Sequence, residues 1–421
     1  MTLIENKNTL QSFMQSKPDF RLLIPVWSSP KAHEWGTHPS FVYFRTDKED
    51  GIMNFNHIDA DTLPYFPISK LCNQNTLVLG NRYIQSDGLD YEWVYLEEFG
   101  KPFIFSEFAE TLYKGYRIDY NELNDCIPLM NWYHLLKSIP DIVGRKDWYR
   151  VYSDAIKTLG EVEGAGVAVE EEKFIDRFSF HPQHIYGGKV YTKYNPYTTT
   201  GRPSNRHLNV NYSALPKADG SRSTIVSRFD GGTLLQFDYE SYHIRLIAKI
   251  VGYEFPKGVT AHQHLANLYG CDYETAKGLT FKYLYGGLDD FARGIDFFAI
   301  VDKYIKEVYQ KFVISGVLKT PLYGREIHFT KIEGATEQKV FNYLLQALET
   351  EVNYKKINDI LQSMSGMNSK VILYTYDAFL VDTHPMERGK ILELLPTIME
   401  KGGFPVRIDE GTNYDNLVHL Q

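Results

Sequence analysis

The amino-acid sequence predicts an α+β fold, and three patterns along the chain support this prediction. Short apolar runs separated by Pro, Gly, Asn and Asp fill residues 1–105, and such runs are typical of strands in an α/β or α+β module. Residues 106–180 carry helical patterns instead. In the C-terminal half, the strand patterns TLLQFD and KVILYTYDAFLVDT are separated by a series of long helical patterns.

The N-terminal elements can be assigned in order. Strands are expected in the runs RLLIPVW, SFVYFRT and NTLVLGNRYI. Helices are expected in SEFAETLYKGY, PLMNWYHLLKSI and KDWYRVYSDAIKTLGEVEG. A polar stretch from HPQHIYGG to DGSRS follows and is rich in Tyr, Asn, Arg and Thr. It is either ordinary surface or a nucleic-acid-binding surface, where Arg and Lys bind phosphates and Tyr stacks on bases.

The C-terminal elements alternate between the two types. The strand TLLQFD leads directly into the helix SYHIRLIAKIV, and further helices are predicted in AHQHLANLYG, DYETAKGLTFKYLYG, VDKYIKEVYQKFVIS and QKVFNYLLQALETEVNYKKINDILQSM. KVILYTYDAFLVDT predicts a tight hairpin with Tyr376 and Asp377 at its tip. The helix ERGKILELLPTIMEKG and the strand FPVRIDEG complete the pattern.

The charge is unevenly distributed along the chain. The net charge of −8 is atypical of nucleic-acid-binding proteins, which usually carry a basic surface. However, residues 1–187 hold 18 Lys and Arg against 27 Asp and Glu, whereas residues 188–421 hold 27 against 26. The acidity therefore belongs to the N-terminal part, and the C-terminal part can still carry a basic groove.

The cysteines and the N-terminus indicate the compartment. The three cysteines, Cys72, Cys126 and Cys271, lie far apart in the sequence and match neither a disulfide framework nor a zinc site. No run of about 18 apolar residues occurs, so no membrane span is expected. The first residues lack the basic and apolar regions of a secretory signal. We therefore expect a cytoplasmic protein without a membrane partner.

Two aspartates lie at the ends of predicted strands. Asp238 ends TLLQFD, and Asp377 lies at the tip of the predicted hairpin. One interpretation is that each caps a helix or forms a buried ion pair, for example between Asp238 and Arg245. The other is that both face one site, where paired carboxylates repel each other unless a cation lies between them. Mg²⁺ suits such a site because it binds one or two carboxylates together with water and phosphate oxygens.

One predicted helix carries a mixed stripe of side chains. In DYETAKGLTFKYLYG, Lys277, Phe281 and Tyr285 are spaced four residues apart and therefore share one face. The stripe combines a cation, an aromatic plane and a phenol, which can hold a triphosphate, a sugar and a base. Alternatively, the helix is simply amphipathic and its aromatic residues face the core.

Taken together, these segments resemble the polymerase domain of family A DNA polymerases, the bacterial polymerase I and phage replicative type. DYESYHIRLIA is similar to the family's motif A, usually DYSQIELRILA, and TYDAFLVD is similar to motif C, usually VHDELVLE. The helix that contains Lys277 resembles motif B, the nucleotide-binding helix of the fingers. The resemblance covers about residues 195–421 in consistent order. It implies that Asp238 and Asp377 are catalytic and, with the backbone carbonyl of Tyr239, hold two Mg²⁺ ions.

Further motifs imply roles for other residues. TTTGRPSN resembles the family's TATGRLSS, whose arginine contacts the primer. AHQHLA resembles a family segment whose histidine helps bind the triphosphate. FNYLLQA resembles the family's FNMPVQG, which lies near the minor groove of the duplex. The implied nucleotide-binding residues are Lys277, Phe281, Tyr285, His262 and His243. The implied DNA-binding residues are Arg202, Asn342, Gln346 and Arg245.

The chain also departs from the family pattern at the site. The usual motif B arginine is Tyr273 here, and the motif A glutamate that excludes the ribose 2′-OH is His243. In motif C, Tyr376 and Ala378 replace the usual His and Glu. One triphosphate contact and the basis of sugar selection must therefore differ from the family pattern.

The resemblance also implies a domain arrangement. Residues 151–421 are expected to form a right-hand polymerase domain with an antiparallel palm sheet, helical fingers at about 255–320 and a reduced thumb. The thumb is expected to be reduced because TTTGR follows LGEVEGAGVAVEEEKF after only about 25 residues. Residues 1–150 are expected to form an α/β exonuclease-like domain that is degenerate and inactive, because no DxE pair lies in an early strand.

The predicted function is template-directed DNA synthesis from dNTPs on primer–template DNA, in phage replication and without proofreading. A reduced thumb implies a processivity or clamp-like partner, and the absent proofreading site implies a separate exonuclease. Two alternatives remain open. The first alternative is a non-catalytic nucleic-acid-binding or assembly subunit that kept the fold. The second is a polymerase with relaxed dNTP/rNTP choice.

Overall fold

The computed structural model describes residues 1–27, 38–105, 107, 127–217, 219–256 and 258–420. They form two compact units, Met1–Gly164 and Ala165–Gln421. Both units combine helices with sheets, so the predicted α+β class is confirmed. The predicted helix at residues 106–116 lies outside the described residues except for Glu107. No helix in the described part of the chain is long and apolar enough to cross a membrane.

A mixed sheet forms the centre of the N-terminal unit. Its strands within the described residues are β1 (Thr2–Ile4), β2 (Phe20–Val26), β3 (Phe41–Thr46), β4 (Asp50–Asn54), β5 (Leu77–Val78) and β6 (Leu89–Asp90). They lie in the order β1-β4-β3-β2-β5-β6. The β2–β3 and β3–β4 pairs are antiparallel and the other pairs are parallel. The longer strands are buried along nearly their whole length, as in sheets that are covered on both faces.

The helices of this unit are α1 (Lys7–Gln15), α2 (Asn81–Ile84), α3 (Tyr91–Phe99), α4 (Leu129–Lys137) and α5 (Tyr149–Ala165). The first three were not predicted from the sequence. The N-caps of two of them explain why they form: Asn6 accepts from the backbone N–H of Asn8 and Thr9, and Asp90 accepts from that of Trp93.

The run NTLVLGNRYI was predicted to be one strand. That prediction is wrong beyond Val78, because Gly80 adopts a left-handed conformation (φ 68°) and starts α2.

An antiparallel sheet forms the centre of the C-terminal unit. Its strands are β12 (Thr233–Tyr239), β15 (Lys370–Thr375), β16 (Ala378–Thr383), β17 (Val406–Gly411) and β18 (Val418–His419). They lie in the order β15-β16-β12-β17-β18, so β12 is flanked by β16 and β17. This arrangement confirms the three strand patterns predicted for this half. Shorter strands accompany them: β7 (Val167–Ala168), β8 (Lys189–Val190), β9 (Tyr194–Asn195), β10 (Ser204–His207), β11 (Val210–Asn211), β13 (Val317–Lys319) and β14 (Glu326–His328).

The helices of the C-terminal unit are α6 (Glu171–Phe178), α7 (Tyr242–Val251), α8 (Ala261–Tyr269), α9 (Tyr273–Gly286), α10 (Asp290–Arg293), α11 (Asp296–Ser315), α12 (Glu337–Ser363) and α13 (Arg388–Met399). Side-chain caps fix the start of the longer ones. Thr260, Asp272 and Thr336 accept hydrogen bonds from the first turns of α8, α9 and α12, which is the usual function of Thr and Asp at an N-cap.

The segment predicted to be a shortened thumb contains little helix. Between Gly166 and Thr200, all of whose residues are described, α6 is the only α-helix, and it has 8 residues. Its buried Phe174 packs in a hydrophobic cluster with Val167, Val190 and Leu234, so the segment lies against the central sheet. A helix of two turns cannot reach far from that sheet, because each residue extends a helix by only about 1.5 Å.

A buried lysine joins two helices of the C-terminal unit. Lys356 lies on α12, and its Nζ donates to the backbone carbonyls of Ile398 (2.6 Å), Met399 (3.1 Å) and Lys401 (2.8 Å). These carbonyls lie at and just beyond the end of α13, where helices leave acceptors unsatisfied. Burial lowers the pKa of Lys356 to about 8, so the ammonium form still predominates at pH 7 and all three of its donors are used.

Replacing Lys356 with Met is therefore expected to lower the free energy of unfolding by about 3 kcal/mol, because the change leaves several acceptors without partners. The neighbouring Lys355 provides a matched control. Its side chain is 68% exposed and, within the described residues, pairs only with Asp359, so Lys355→Met should change stability by about 0.5 kcal/mol or less. Urea unfolding followed by circular dichroism measures both values, and equal effects would show that the helix-end contact contributes nothing.

Candidate active site

Sheet pairing brings the two predicted aspartates to one edge of the C-terminal sheet. Asp238 lies near the end of β12, opposite Ala378 on β16 and Arg407 on β17. Asp377 immediately precedes Ala378, and its backbone carbonyl accepts a hydrogen bond from Tyr239 N (3.0 Å). The two carboxylates therefore start from adjacent backbone positions, although they are far apart in the sequence.

The hairpin that carries Asp377 forms as predicted, with an unusual turn. Thr375 pairs with Ala378, so Tyr376 and Asp377 alone make the turn. Tyr376 has φ 63°, a left-handed conformation that is uncommon for a bulky residue. Two contacts hold it there. Asn353 Nδ2 donates to its carbonyl (2.6 Å), and the Arg202 guanidinium lies 3.6 Å from the centre of its ring. Strain of this kind persists only where the surroundings fix it, and it is concentrated at functional sites.

Neither aspartate has a cationic partner among the described residues. The nearest hydrogen-bond donor to Asp238 is Gln236 Nε2, at 3.5 Å. Arg245, the ion-pair partner considered for Asp238, instead lies 3.8 Å from the Glu240 carboxylate and donates to the Glu240 carbonyl. The buried ion pair between Asp238 and Arg245 is therefore not formed.

The electrostatic surroundings of both carboxylates disfavour their charged forms. Burial, followed by the charges of Asp377 and Asp409, raises the pKa of Asp238 to about 7. The Asp377 side chain keeps contact with solvent, but desolvation by the protein around it and the charge of Glu349 raise its pKa as well. Two such carboxylates repel each other when both are charged, and a cation bound between them would favour their charged forms.

The donor set suits a hard, hydrated cation. No group of three or more His, Cys, Asp and Glu side chains with metal-binding geometry occurs in the described residues. Two carboxylates with open access fit Mg²⁺, which keeps several waters and accepts substrate oxygens. They do not fit a structural zinc site, which needs four protein ligands.

Helix α9 presents its predicted stripe on an accessible face. Its buried residues are Ala276, Thr280, Tyr283 and Leu284. Lys277 is exposed, Phe281 is 43% exposed, and the rings of Phe281 and Tyr285 are nearly parallel with centres 6.0 Å apart. The stripe therefore does not form the core face of the helix, which excludes the simple amphipathic interpretation.

The other predicted nucleotide-binding residues lie beside this helix. His262 is buried, and its ring faces Phe281 and Tyr273 at 6.1 and 5.8 Å between centres. Burial and the charges of Lys277 and Arg245 lower the pKa of His262 to about 4, so its imidazole is neutral at pH 7. Three potential phosphate contacts are thus grouped here. Arg245 lines a neighbouring cleft of about 420 Å³.

His243 lies between two elements rather than facing open solvent. Its Nδ1 contacts the Tyr285 hydroxyl, and its Nε2 lies 3.2 Å from Glu349 Oε2. The same carboxylate oxygen pairs with Arg202 Nε at 2.8 Å. Glu349, which was not predicted as a site residue, therefore joins predicted nucleotide-binding and DNA-binding residues. A signal was present in the sequence, because FNYLLQALETEV places a charge within an apolar helical stretch.

The remaining predicted DNA-binding residues lie along one side of α12. Asn342, Gln346 and Glu349 are spaced four and three residues apart, so they share a face of the helix. Asn342 and Gln346 are both partly exposed. Arg202 reaches this face through Glu349. The structure thus groups the three predicted DNA contacts, while Arg245 lies apart from them, near His262.

Comparisons with known proteins identify the fold. No protein-family profile and no curated protein sequence matches the chain. The structure is similar to the POL domain of Pol1 from M. smegmatis, solved in complex with DNA primer-template and dNTP. The TM-score is 0.71 at 14% sequence identity, and the match covers 98% of this chain and 99% of that one. The chain therefore has the fold of a DNA polymerase domain, as the resemblance to family A polymerases predicted.

Proposed function

We propose that the chain is a DNA-dependent DNA polymerase that transfers a nucleotide from a dNTP to a primer 3′-OH. The observation that carries the proposal is the pairing of Asp238 and Asp377, two unpartnered carboxylates with raised pKa values at one sheet edge. The polymerase-domain fold supports the same assignment. Neither aspartate forms an ion pair with a described residue.

The two aspartates and the Tyr239 carbonyl are the residues that would hold two Mg²⁺ ions. When bound, a pair of such ions lowers the pKa of the attacking hydroxyl and neutralises the charge of the leaving pyrophosphate. The chain itself supplies the positions of the ligands. The β12–β16 pairing fixes Asp238, and the left-handed turn at Tyr376 directs Asp377 towards it.

The nucleotide would lie along the accessible face of α9. Lys277 is placed to bind the triphosphate as a point charge, and neutral His262 can donate or accept one hydrogen bond there. Arg245 is near both and offers a positive charge that can compensate for Tyr273 at the position of the motif B arginine. Phe281 and Tyr285 form the wall on which the new base pair stacks.

The primer and template would be held chiefly through backbone and minor-groove contacts. Arg202, Asn342 and Gln346 are of the types that contact phosphates, sugars and base edges, which position a duplex without reading much sequence. Sequence selection then comes from base pairing with the template. With the short segment after Gly166 as its thumb, the described part of the chain would offer few such contacts.

A reduced thumb is expected to make DNA synthesis distributive and sensitive to salt. Extension products should shorten by about tenfold or more between about 50 and about 200 mM salt. Salt weakens the contacts with DNA phosphates, and a short thumb provides few further contacts with the duplex to compensate for that loss. Incorporation of a single nucleotide at saturating DNA is the control, and it should change much less. Long products at the higher salt concentration would contradict the reduced thumb.

Primer extension decides between the proposal and its alternatives. A primed template is incubated with dNTPs or rNTPs, with Mg²⁺ or with a chelator. Mg²⁺-dependent extension with dNTPs alone supports the proposal, and equal extension with rNTPs indicates relaxed sugar choice. Binding of DNA without any extension would indicate a non-catalytic subunit.

The proposal includes a biological setting that follows from the resemblance. The chain would act in phage replication in the host cytoplasm, without proofreading and with a separate exonuclease. The acidic N-terminal part, with its net excess of nine negative charges, is a suitable docking surface for a processivity partner. The exonuclease-like origin of residues 1–150 stays a prediction.

A further inference from the structure

Glu349 is a buried carboxylate at the centre of the site. Its side chain is 2% exposed, next to the buried apolar residues Leu345 and Leu348 on the same helix. Burial alone would raise its pKa, but His243 and Arg202 outweigh that effect and lower the pKa. The carboxylate is therefore charged at pH 7, and it is retained in a place where a charge is costly unless it is paired.

The contact with His243 determines what the imidazole offers to Tyr285. The Glu349 carboxylate oxygen lies 3.2 Å from Nε2 and places a negative charge beside that nitrogen, while Nδ1 faces the Tyr285 hydroxyl. Burial raises the pKa of Tyr285, so its phenol keeps its proton and donates to Nδ1. The imidazole thus lies between the Tyr285 hydroxyl and the Glu349 carboxylate.

The contact with Arg202 extends the network to the hairpin. The Arg202 guanidinium pairs with Glu349 and lies 3.6 Å from the centre of the Tyr376 ring. Tyr376 is the left-handed residue that directs Asp377 to the site. One carboxylate therefore connects the nucleotide side, through His243 and Tyr285, with the hairpin that carries Asp377.

An ion pair in the N-terminal unit is more completely buried than the pairs of Glu349. Arg82 and Glu163 in the N-terminal unit are both nearly inaccessible, at 6% and 1% side-chain exposure, as expected for a structural pair. The partners of Glu349 are 17% exposed for His243 and 28% exposed for Arg202. They therefore reach from the buried carboxylate to the accessible site.

We propose that Glu349 is a positioning and sugar-specificity residue that holds His243 against Tyr285. The proposal rests on the proposed function, because it assumes that a nucleotide lies beside Tyr285. His243 occupies the position where the family has the glutamate that excludes a ribose 2′-OH, and a ring fixed by Glu349 and Tyr285 cannot move aside for that hydroxyl. Without Glu349 the ring gains freedom, and discrimination between dNTP and rNTP falls.

The test compares Glu349→Gln with the matched variant Glu351→Gln. Glu351 is buried on the same helix but accepts from Thr320 Oγ1 (2.6 Å) and Leu322 N (3.3 Å), away from the site. Single-nucleotide incorporation gives kcat and KM for a dNTP and for the matching rNTP. We expect Glu349→Gln to lower the dNTP/rNTP ratio of kcat/KM about tenfold, mostly through KM, and Glu351→Gln to leave it within about twofold.

A double-mutant cycle covers the case in which Glu349→Gln folds poorly. His243→Glu alone places two carboxylates together in a buried position, and adding Glu349→Gln removes one of them. The double variant should therefore have a higher Tm than His243→Glu. Equal Tm values would show that positions 243 and 349 do not interact and would overturn the proposal.

The outcomes separate this proposal from the proposed function. If the wild type incorporates nucleotides and Glu349→Gln keeps the full dNTP/rNTP ratio, only the role of Glu349 is wrong. If the wild type incorporates nothing, the proposed function is wrong and the role of Glu349 is overturned with it.

Discussion

Replacing Asp238 or Asp377 with Asn is expected to reduce nucleotide incorporation by about 10³-fold or more, because each carboxylate contributes several kcal/mol of metal-dependent stabilisation to the transition state. Asn keeps the size of the side chain and removes its charge, so the backbone pairing that places the two side chains should persist. Single-turnover incorporation on a primed template measures the loss.

The same substitutions should not destabilise the protein. Asp238 and Asp377 repel each other and have no ion-pair partner among the described residues, so neutralising one of them removes an unfavourable interaction. The Tm in the absence of metal should be equal to or above that of the wild type. The control is Asp359→Asn, which removes a surface carboxylate on α12 and should retain wild-type activity. Activity retained by Asp238→Asn would contradict the two-aspartate site.

Much of the C-terminal fold is predictable because its signals are local. The β15–β16 hairpin follows from two apolar runs around one polar pair, and α8 and α9 follow from periodic apolar residues with Thr or Asp at their N-caps. The order of the strands is not local information. That β12 lies between β16 and β17 depends on packing across the whole unit.

In the N-terminal unit, some helix signals were present in the sequence but were not recognised, and another boundary had no clear local signal. Asn6 and Asp90 are sequence-visible caps for α1 and α3, yet the short apolar runs around them favoured strands. Gly80 ends a strand by adopting a left-handed conformation, and a glycine in an apolar run does not by itself reveal that.

Sequence patterns indicate candidate site residues that are recognisable by their type and their position in a motif. They do not indicate a residue that joins the site only through contacts with distant residues. Asp238, Asp377 and Lys277 are recognisable from their type and position in a motif. Glu349 belongs to the candidate site only through its contacts with Arg202 and His243, and Arg202 lies 147 residues away in the sequence. No periodicity reveals such a contact, because it is created by the placement of α12 against α7 and the hairpin.

That contact also changes the meaning of the departures from the family pattern. His243 alone looks like a lost carboxylate, but Glu349 supplies a carboxylate to the same place from another helix. Likewise, Tyr376 in motif C provides the ring that the Arg202 guanidinium covers. Two of the four departures, His243 and Tyr376, are thus connected through Glu349 and Arg202.

Replacing Lys277 with Met is expected to lower kcat/KM for dNTPs by about 10²-fold, since a charged contact to phosphate contributes about 3 kcal/mol. The position of Lys277 supports a large effect. It is exposed on the open face of α9, one turn before Phe281, and its charge reaches His262. Met keeps the helix propensity and the apolar stem of the side chain, so the loss should reflect the ammonium group.

Lys282 on the same helix provides the control for Lys277. It is also exposed, but its Nζ lies 5.8 Å from the centre of the Tyr283 ring, and Tyr283 belongs to the buried side of α9. Lys282→Met removes the same charge from the same helix and should reduce kcat/KM less than about threefold, through the general electrostatic attraction of substrate. Because the two variants have equal net charge, a difference between their kcat/KM values would be due to the position of the lost ammonium group. Equal losses would mean that α9 attracts nucleotides only through its overall charge, and Lys277 would then have no specific contact with the triphosphate.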